Sequence, residues 1–257
     1  MRVVLAQLAS STDSAANRDL VDSVLAAAGE VQPDLVVLPE AAMHDFGDPD
    51  HDLAGSAEPL DGPFIGLLTT SARRLGATVV AGMFESAEGL PYNTLVAVGP
   101  DGSLQATYRK VHLYDSFGYR ESDRLAPGPV EPVVLDVSGH RVGLMTCYDL
   151  RFPELTRRLV DAGADTVAVP AAWVAGPLKE DHWTTLLRAR AIENTVYALG
   201  AAQCPPRYAG HSALIDPMGV VVAAAGEAPG LVVGVVDPAR IEAARARNPS
   251  LANRRIR

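Results

Sequence analysis

Apolar residues along the chain fall into two kinds of run. Short continuous runs occupy residues 2–7, 34–39, 78–82, 95–98, 133–137, 141–146, 165–170, 196–201, 211–216, 220–224 and 231–236. A run of that length between turn residues reads as a strand. Longer stretches carry apolar positions at helical spacing: residues 14–28 with Leu20, Val21, Val24 and Leu25, residues 63–75, and a segment opened by Pro153 with Leu155, Leu159 and Val160. Residues 181–193 and the stretch from Pro238 to about Arg247 complete the predicted helices. Gly76 and Gly163 stand where helices end. A helix between two fully apolar strands predicts a parallel β-α-β unit. The turn at Gly99-Pro-Asp-Gly102 returns residues 103–109 antiparallel, and residues 220–224 with 231–236 read as a hairpin. Residues 44–61 and 114–129 are polar and read as loops.

The pattern then repeats. Arg141-Val-Gly-Leu-Met-Thr146 echoes Arg2-Val-Val-Leu-Ala-Gln7, and Asp165-Thr-Val-Ala-Val-Pro170 echoes Asp34-Leu-Val-Val-Leu-Pro39. Ala171-Ala172-Trp173 falls where Glu40-Ala41-Ala42 stands in the first half. Two such halves suggest two sheets packed face to face with helices outside, their strand ends meeting at one site. No Ser/Gly-rich linker interrupts the chain, so residues 1–257 are expected to form one domain.

Composition narrows the function classes. The chain is 48% hydrophobic and 21% charged, as an ordinary globular protein is. A net charge of −9 argues against nucleic acid or an anionic membrane as partner, since both call for a basic face. No run approaches the ~18 apolar residues of a membrane span. The apolar run after Met1-Arg2 is too short for a signal peptide. Cys147 and Cys204 cannot build a disulfide framework or a four-thiolate zinc site. A cytoplasmic protein with reduced thiols is the simplest expectation.

Three residues stand out by position. Cys147 follows the strand at residues 141–146 and precedes the helix opened by Pro153, at the edge where open α/β sheets place ligands. Glu40 directly follows the strand that stops at Pro39, and Lys110 lies at the end of residues 103–109. A thiolate is a strong nucleophile, a nearby ammonium lowers a thiol's pKa, and a buried carboxylate can take the proton instead. Lys110 and the backbone N–H of Tyr148 are candidates to hold an oxyanion. Each has a plainer reading. Cys147 can be a buried structural thiol and Glu40 an anion at a helix start. A Cys–His pair using His112, His182 or His211 lacks the local protease signatures, and no H-E-x-x-H zinc pattern occurs. A non-catalytic α/β binding protein is the remaining class.

Three blocks resemble the nitrilase superfamily of carbon–nitrogen hydrolases: Leu38-Pro39-Glu40, Arg109-Lys110-Val111-His112-Leu113 and Cys147-Tyr-Asp-Leu-Arg-Phe-Pro-Glu154. They occur in that family's order and spacing, and Pro170-Ala-Ala172 and Arg188-Ala-Arg-Ala-Ile-Glu-Asn194 extend the likeness over nearly the whole chain. The resemblance implies a four-layer α-β-β-α sandwich, dimerised, and a catalytic triad of Glu40, Lys110 and Cys147. It also implies that Glu121, in the loop after the lysine, orients Lys110 and the substrate nitrogen. Tyr148, Arg151, Phe152 and residues 110–121 are similar to the ω-amidase and deaminated glutathione amidase branch. That branch implies a small, acidic primary amide as substrate, no cofactor and no metal. The chain departs from it at Ala172-Trp173-Val-Ala-Gly-Pro177, where a Phe-Asn or similar pair is usual. The departure bears on the substrate, and Trp173 is expected either to line the pocket or to pack in the core. N-carbamoyl amino acid hydrolysis and nitrile hydrolysis by the same triad are the alternatives within the family.

Overall fold

The computed structural model describes residues 1–256. The first sheet contains β1 (Arg2–Gln7), β2 (Leu35–Val37), β3 (Thr78–Glu85), β4 (Tyr92–Val98), β5 (Leu104–Arg109) and, from the far end of the chain, β14 (Gly230–Val235). A small hairpin, β6 (Asp115–Ser116) and β7 (Tyr119–Arg120), stands apart. The second sheet contains β8 (Val134–Val137), β9 (His140–Leu144), β10 (Thr166–Ala171), β11 (Tyr197–Ala202), β12 (Ala213–Ile215) and β13 (Val221–Ala224). The orders are β14-β1-β2-β3-β4-β5 and β8-β9-β10-β11-β12-β13. In both sheets the second, third and fourth strands run parallel and the flanking pairs antiparallel. The sequence repeat is therefore a structural one, with β9 and β10 in the places of β1 and β2.

The central strands β1–β4 and β9–β12 are covered on both faces, which is why they read as unbroken apolar runs, whereas β5, β13 and β14 leave Leu104, Val221, Val222, Val233 and Val235 exposed. On the first sheet Val3, Leu5, Leu35 and Val37 share a core with Val142, Leu144 and Val167 of the second. The alternate residues Val4, Ala6, Val36 and Leu38 pack with Val21 and Leu25 of α1 (Ser14–Gly29) and Phe64 and Leu68 of α2 (Pro63–Leu75). Outside the second sheet lie α3 (Pro153–Asp161) and α4 (Lys179–Asn194), which pack Leu155, Leu159, Trp183 and Leu187 onto its outer face, Leu159 over Gly143 and Trp183 and Leu187 over Gly200. The layers are α-β-β-α, as the sequence resemblance implied. Local signals set the helix ends: Asp13 accepts from the N–H groups of Ala15 and Ala16, prolines open α2, α3 and α5 (Pro238–Arg247), and Gly76 closes α2 in the left-handed region at φ +62°. A last short helix, α6 (Ser250–Asn253), leads to Arg254, which pairs with Asp161 of its own chain.

The expected hairpin of residues 220–224 and 231–236 does not form. β13 pairs with β12, while β14 crosses to the other sheet and pairs along all of β1, from Arg2↔Val235 to Gln7↔Gly230. A hairpin would have left the outer edge of β1 with unpaired backbone. The crossing is held by Gln7, whose Nε2 donates to the carbonyls of Gly226 and Ala228 at 2.8 Å each. Residues 114–129 also hold more structure than a loop: the β6–β7 hairpin and a 3-10 turn at Glu121–Asp123.

One close approach places the end of β2. An ideal Cβ on Gly82 of β3 would lie 2.6 Å from Glu40 Cα, 2.7 Å from the Ala41 nitrogen and 2.8 Å from the Pro39 oxygen. All three are backbone atoms, so the segment carrying Glu40 can lie on β3 only because residue 82 has no side chain. Gly82→Ala is expected to destabilise the protein by about 1–3 kcal/mol by overpacking. Gly66→Ala on α2, where nothing lies within 4 Å of the new methyl, should instead stabilise by up to ~1 kcal/mol. Urea unfolding of the two variants checks the contrast.

Candidate active site

Cys147 sits at a sharp turn between β9 and α3. Its φ is +45°, and a 3-10 turn over Cys147–Arg151 follows directly. A left-handed conformation without a glycine costs on the order of 1–3 kcal/mol and must be held by its surroundings. Asp149 does much of the holding. Its fully buried carboxylate accepts from Thr146 N (2.9 Å), Tyr108 Oη (2.6 Å), His112 N (3.1 Å) and His112 Nδ1 (2.7 Å). Burial and the Asp149 charge push the Tyr108 phenol well above its ordinary range, so it stays a donor. The His112 ring stacks on Phe152 at 3.8 Å, and Phe152 meets Tyr148 edge-on. His112, considered above as a general base, is thus engaged with Asp149.

Glu40 after β2, Lys110 after β5 and Glu121 at the 3-10 turn converge behind the thiol, each no more than 2% exposed. Lys110 Nζ donates to Glu40 Oε1 at 2.9 Å and to Glu121 Oε1 and Oε2 at 3.1 and 2.8 Å. The other Glu40 oxygen accepts from the backbone N–H of Ala172 at 2.7 Å, just past β10. Glu121 Oε2 also accepts from Tyr114 N at 2.6 Å. Asn93 Nδ2 donates to both carboxylates, at 2.7 Å to Glu40 and 3.1 Å to Glu121.

These contacts set the charge states of the cluster. Burial alone would pull the Lys110 ammonium down, but the Glu121 and Glu40 charges outweigh it and hold the group well above its usual value. The Cys147 thiol moves up strongly. Burial is the main cause, the Glu40 charge and a hydrogen bond to Glu40 add to it, and Lys110 opposes. The resting sulfur is therefore a neutral thiol lying within the field of the Glu40 charge.

A cavity of about 310 Å³ opens onto this cluster, and Glu40, Lys110, Glu121, Cys147, Tyr148, Arg151 and Trp173 all line it. Every site residue singled out from the sequence thus faces one pocket. Trp173 serves both of its expected roles: it lines the wall, and it packs on Trp183 at 5.4 Å with its indole N–H donating to the Lys179 carbonyl at 2.8 Å. The Arg151 guanidinium lies 4.8 Å from the Trp173 ring centroid. Among the described residues it has no carboxylate partner, and its buried Nε makes no hydrogen bond. Lys179 adds a second cation. Its ammonium lies 3.8 Å from the Phe117 ring centroid and donates to Tyr114 Oη at 3.1 Å. Burial, then Arg151, lowers its pKa. Arg207, also on the wall, is already paired with Asp45 at 3.1 Å.

Asn93, Asp149 and Lys179 were not singled out from the sequence. Asn93 is a lone amide inside the apolar β4 pattern, and Asp149 is a carboxylate within the Cys147 block; both anomalies were visible. Lys179 begins α4 after Leu178 in the left-handed region, and no periodic signal marks it.

The chain matches the family model described as carbon-nitrogen hydrolase over residues 2–246. It is 43% identical over 258 residues to a deaminated glutathione amidase of Escherichia coli O157:H7, covering 100% of this chain and 98% of that protein. A deaminated glutathione amidase of Bos taurus is 35% identical, with 98% and 81% covered. Among solved structures, a CN-hydrolase superfamily protein from Xanthomonas campestris, with an arsenic adduct in its active site, superposes with a TM-score of 0.90 at 32% identity, covering 100% and 98%. A glutamate-to-glutamine mutant of the amidase from Nesterenkonia sp. AN1, with acrylamide added at the active-site cysteine, superposes with a TM-score of 0.83 at 28% identity, covering 96% and 97%.

The neutral resting thiol is directly measurable. The difference in ultraviolet thiolate absorbance between the protein and Cys147→Ser should show no step between about pH 6 and pH 8, because the folded thiol is held above its ordinary range. A step in that window would mean a preformed thiolate.

Proposed function

The chain belongs to the carbon–nitrogen hydrolase family, and from that premise we propose that it hydrolyses the primary amide of a small acidic molecule to a carboxylic acid and ammonia through a thioester on Cys147. The observation that carries the reading is the buried set on one pocket wall: the Cys147 thiol beside the Glu40 charge, with Lys110 bonded to Glu40 at 2.9 Å.

The steps follow from where protons can go. Glu40 takes the thiol proton while Sγ forms a bond to the amide carbon. The carbonyl oxygen becomes an oxyanion, held by an N–H of Lys110 and the backbone N–H of Tyr148, and one such donor is typically worth about 3 kcal/mol. Lys110 has three N–H groups, so one to each glutamate leaves the third for the oxyanion. The C–N bond then breaks, the nitrogen takes the proton from Glu40, and ammonia leaves. Water attacks the thioester as Glu40 accepts its proton. The second tetrahedral intermediate expels the sulfur, which recovers the proton. Glu121 keeps Lys110 in place and charged throughout.

Two features of the pocket support an acidic substrate. Arg151 and Lys179 lie on its wall with no carboxylate partner among the described residues. A cation held this way is ready to receive a substrate carboxylate. The volume, about 310 Å³, suits a small molecule. The curated relatives named deaminated glutathione amidase point the same way. A cytoplasmic homodimer remains our expectation for the assembly and its location.

Ammonia release from α-ketoglutaramate, succinamate, deaminated glutathione, N-carbamoyl amino acids and simple nitriles tests the substrate class, with the acidic primary amides expected to lead. Cys147→Ala should abolish turnover and leave the unfolding midpoint near that of the parent. Lys110→Ala should lower kcat by about a hundredfold or more, since it removes a donor to the transition state. Arg151→Ala and Lys179→Ala should raise KM for acidic amides by roughly 10- to 100-fold and leave neutral amides nearly unaffected. Full activity in Cys147→Ala would overturn the mechanism. An equal effect of the cation variants on neutral amides would overturn the assignment of the carboxylate subsite.

A further inference from the structure

Asn93 touches three members of the cluster. Its backbone carbonyl accepts from Lys110 N at 2.8 Å, and its side-chain nitrogen donates to Glu40 Oε1 and Glu121 Oε1. Those same two oxygens both accept from Lys110 Nζ. The four groups close a ring in which two carboxylates alternate with one ammonium and one neutral amide. The amide is only 1% exposed, and its orientation is forced, because a flip would aim its carbonyl at two carboxylates. Its own Oδ1 is left buried with no partner. An unpaired buried acceptor is costly, so the ring is maintained against a local penalty.

The charge count explains what the amide does there. Two carboxylates against one ammonium leave a net negative charge in a site that excludes water. A second cation would cancel it and weaken Glu40 as a base. A third carboxylate would drive protons onto the pair. A neutral double donor steadies both anions and leaves Glu40 free to accept a proton. We infer that Asn93 is a positioning residue for the reaction, a bridge that keeps Glu40 and Glu121 ionised side by side and aims Glu40 at the Cys147 thiol. This rests on the reading of Glu40 as the base for Cys147.

The test measures iodoacetamide alkylation of Cys147 by mass spectrometry across about pH 5–9, so no substrate need be known. The groups facing Glu40 are Lys110, Glu121, Cys147 and Tyr208, the last bonded to Asp45. Cys147 is displaced upward, so a thiolate route alone gives a rate that rises steadily with pH, and only the part of the acid limb lost in Glu40→Gln reports Glu40. Asn93→Ala removes a donor from the charged forms of Glu40 and Glu121, and protonation then competes at higher pH. Its acid limb should move up by about one pH unit or more. Should the alanine variant fail to fold, Asn93→Ser, with one hydrogen in place of two, must show the same upward shift. A merely structural role would lower the rate equally at every pH. Unshifted acid limbs in folded Asn93 variants, with part of the limb lost in Glu40→Gln, would overturn the role of Asn93 alone. A limb left unchanged in Glu40→Gln would instead overturn Glu40 as the base, and the bridge with it.

Discussion

One ammonium holds the site together. Glu40 and Glu121 are almost fully buried, and two carboxylates in such a place would ordinarily give up their charge or open to water. Lys110 lies within 3.1 Å of an oxygen on each, and the backbone N–H groups of Ala172 and Tyr114 take further lone pairs. Removing one partner from a buried set of this kind commonly costs 3–5 kcal/mol, since the others are left charged and dry. The surrounding fold meets that demand. β2 stops at a proline, β5 delivers the lysine, β10 delivers an N–H, and Gly82 lets the Glu40 segment lie against β3.

The same arrangement keeps the sulfur quiet. A thiol facing Glu40 inside a water-poor wall is harder to ionise than one in solution, and Lys110 only partly offsets this. In the proposed mechanism reactivity then depends on proton transfer concerted with attack, and so on a substrate carbonyl being in place. The strained turn at Cys147 adds a geometric requirement, which Asp149 satisfies by anchoring Thr146 on one side and Tyr108 and His112 on the other.

Much of this was legible in the sequence for physical reasons. Strands buried on both faces leave unbroken apolar runs, so the repeat of residues 2–40 in residues 141–172 carried the layer arrangement with it. Glu40 and Cys147 broke apolar runs at their ends, where a buried charge or thiol must have a purpose, while Lys110 closed a mixed polar strand and was marked by the block around it. The partner of β14 was not legible, because local adjacency favours a hairpin, whereas the unpaired edge of β1 lies more than 220 residues away in sequence. Lys179 was hidden for a different reason. Its carbon stem and ammonium work through the faces of Phe117 and Tyr114, on a hairpin about sixty residues earlier in the chain. The neutral amide of Asn93 looked like a minor flaw in a strand until the two carboxylates were placed around it.

The central claim is that Cys147 carries the acyl group. Intact-protein mass spectrometry of enzyme quenched in acid during turnover of a slow acidic amide measures this directly. The mechanism requires a mass gain equal to the acyl fragment without its nitrogen, mapped by peptide digestion to Cys147 and absent from Cys147→Ala. Substrate turnover at full rate with no adduct on Cys147, together with undiminished activity in Cys147→Ala, would contradict it.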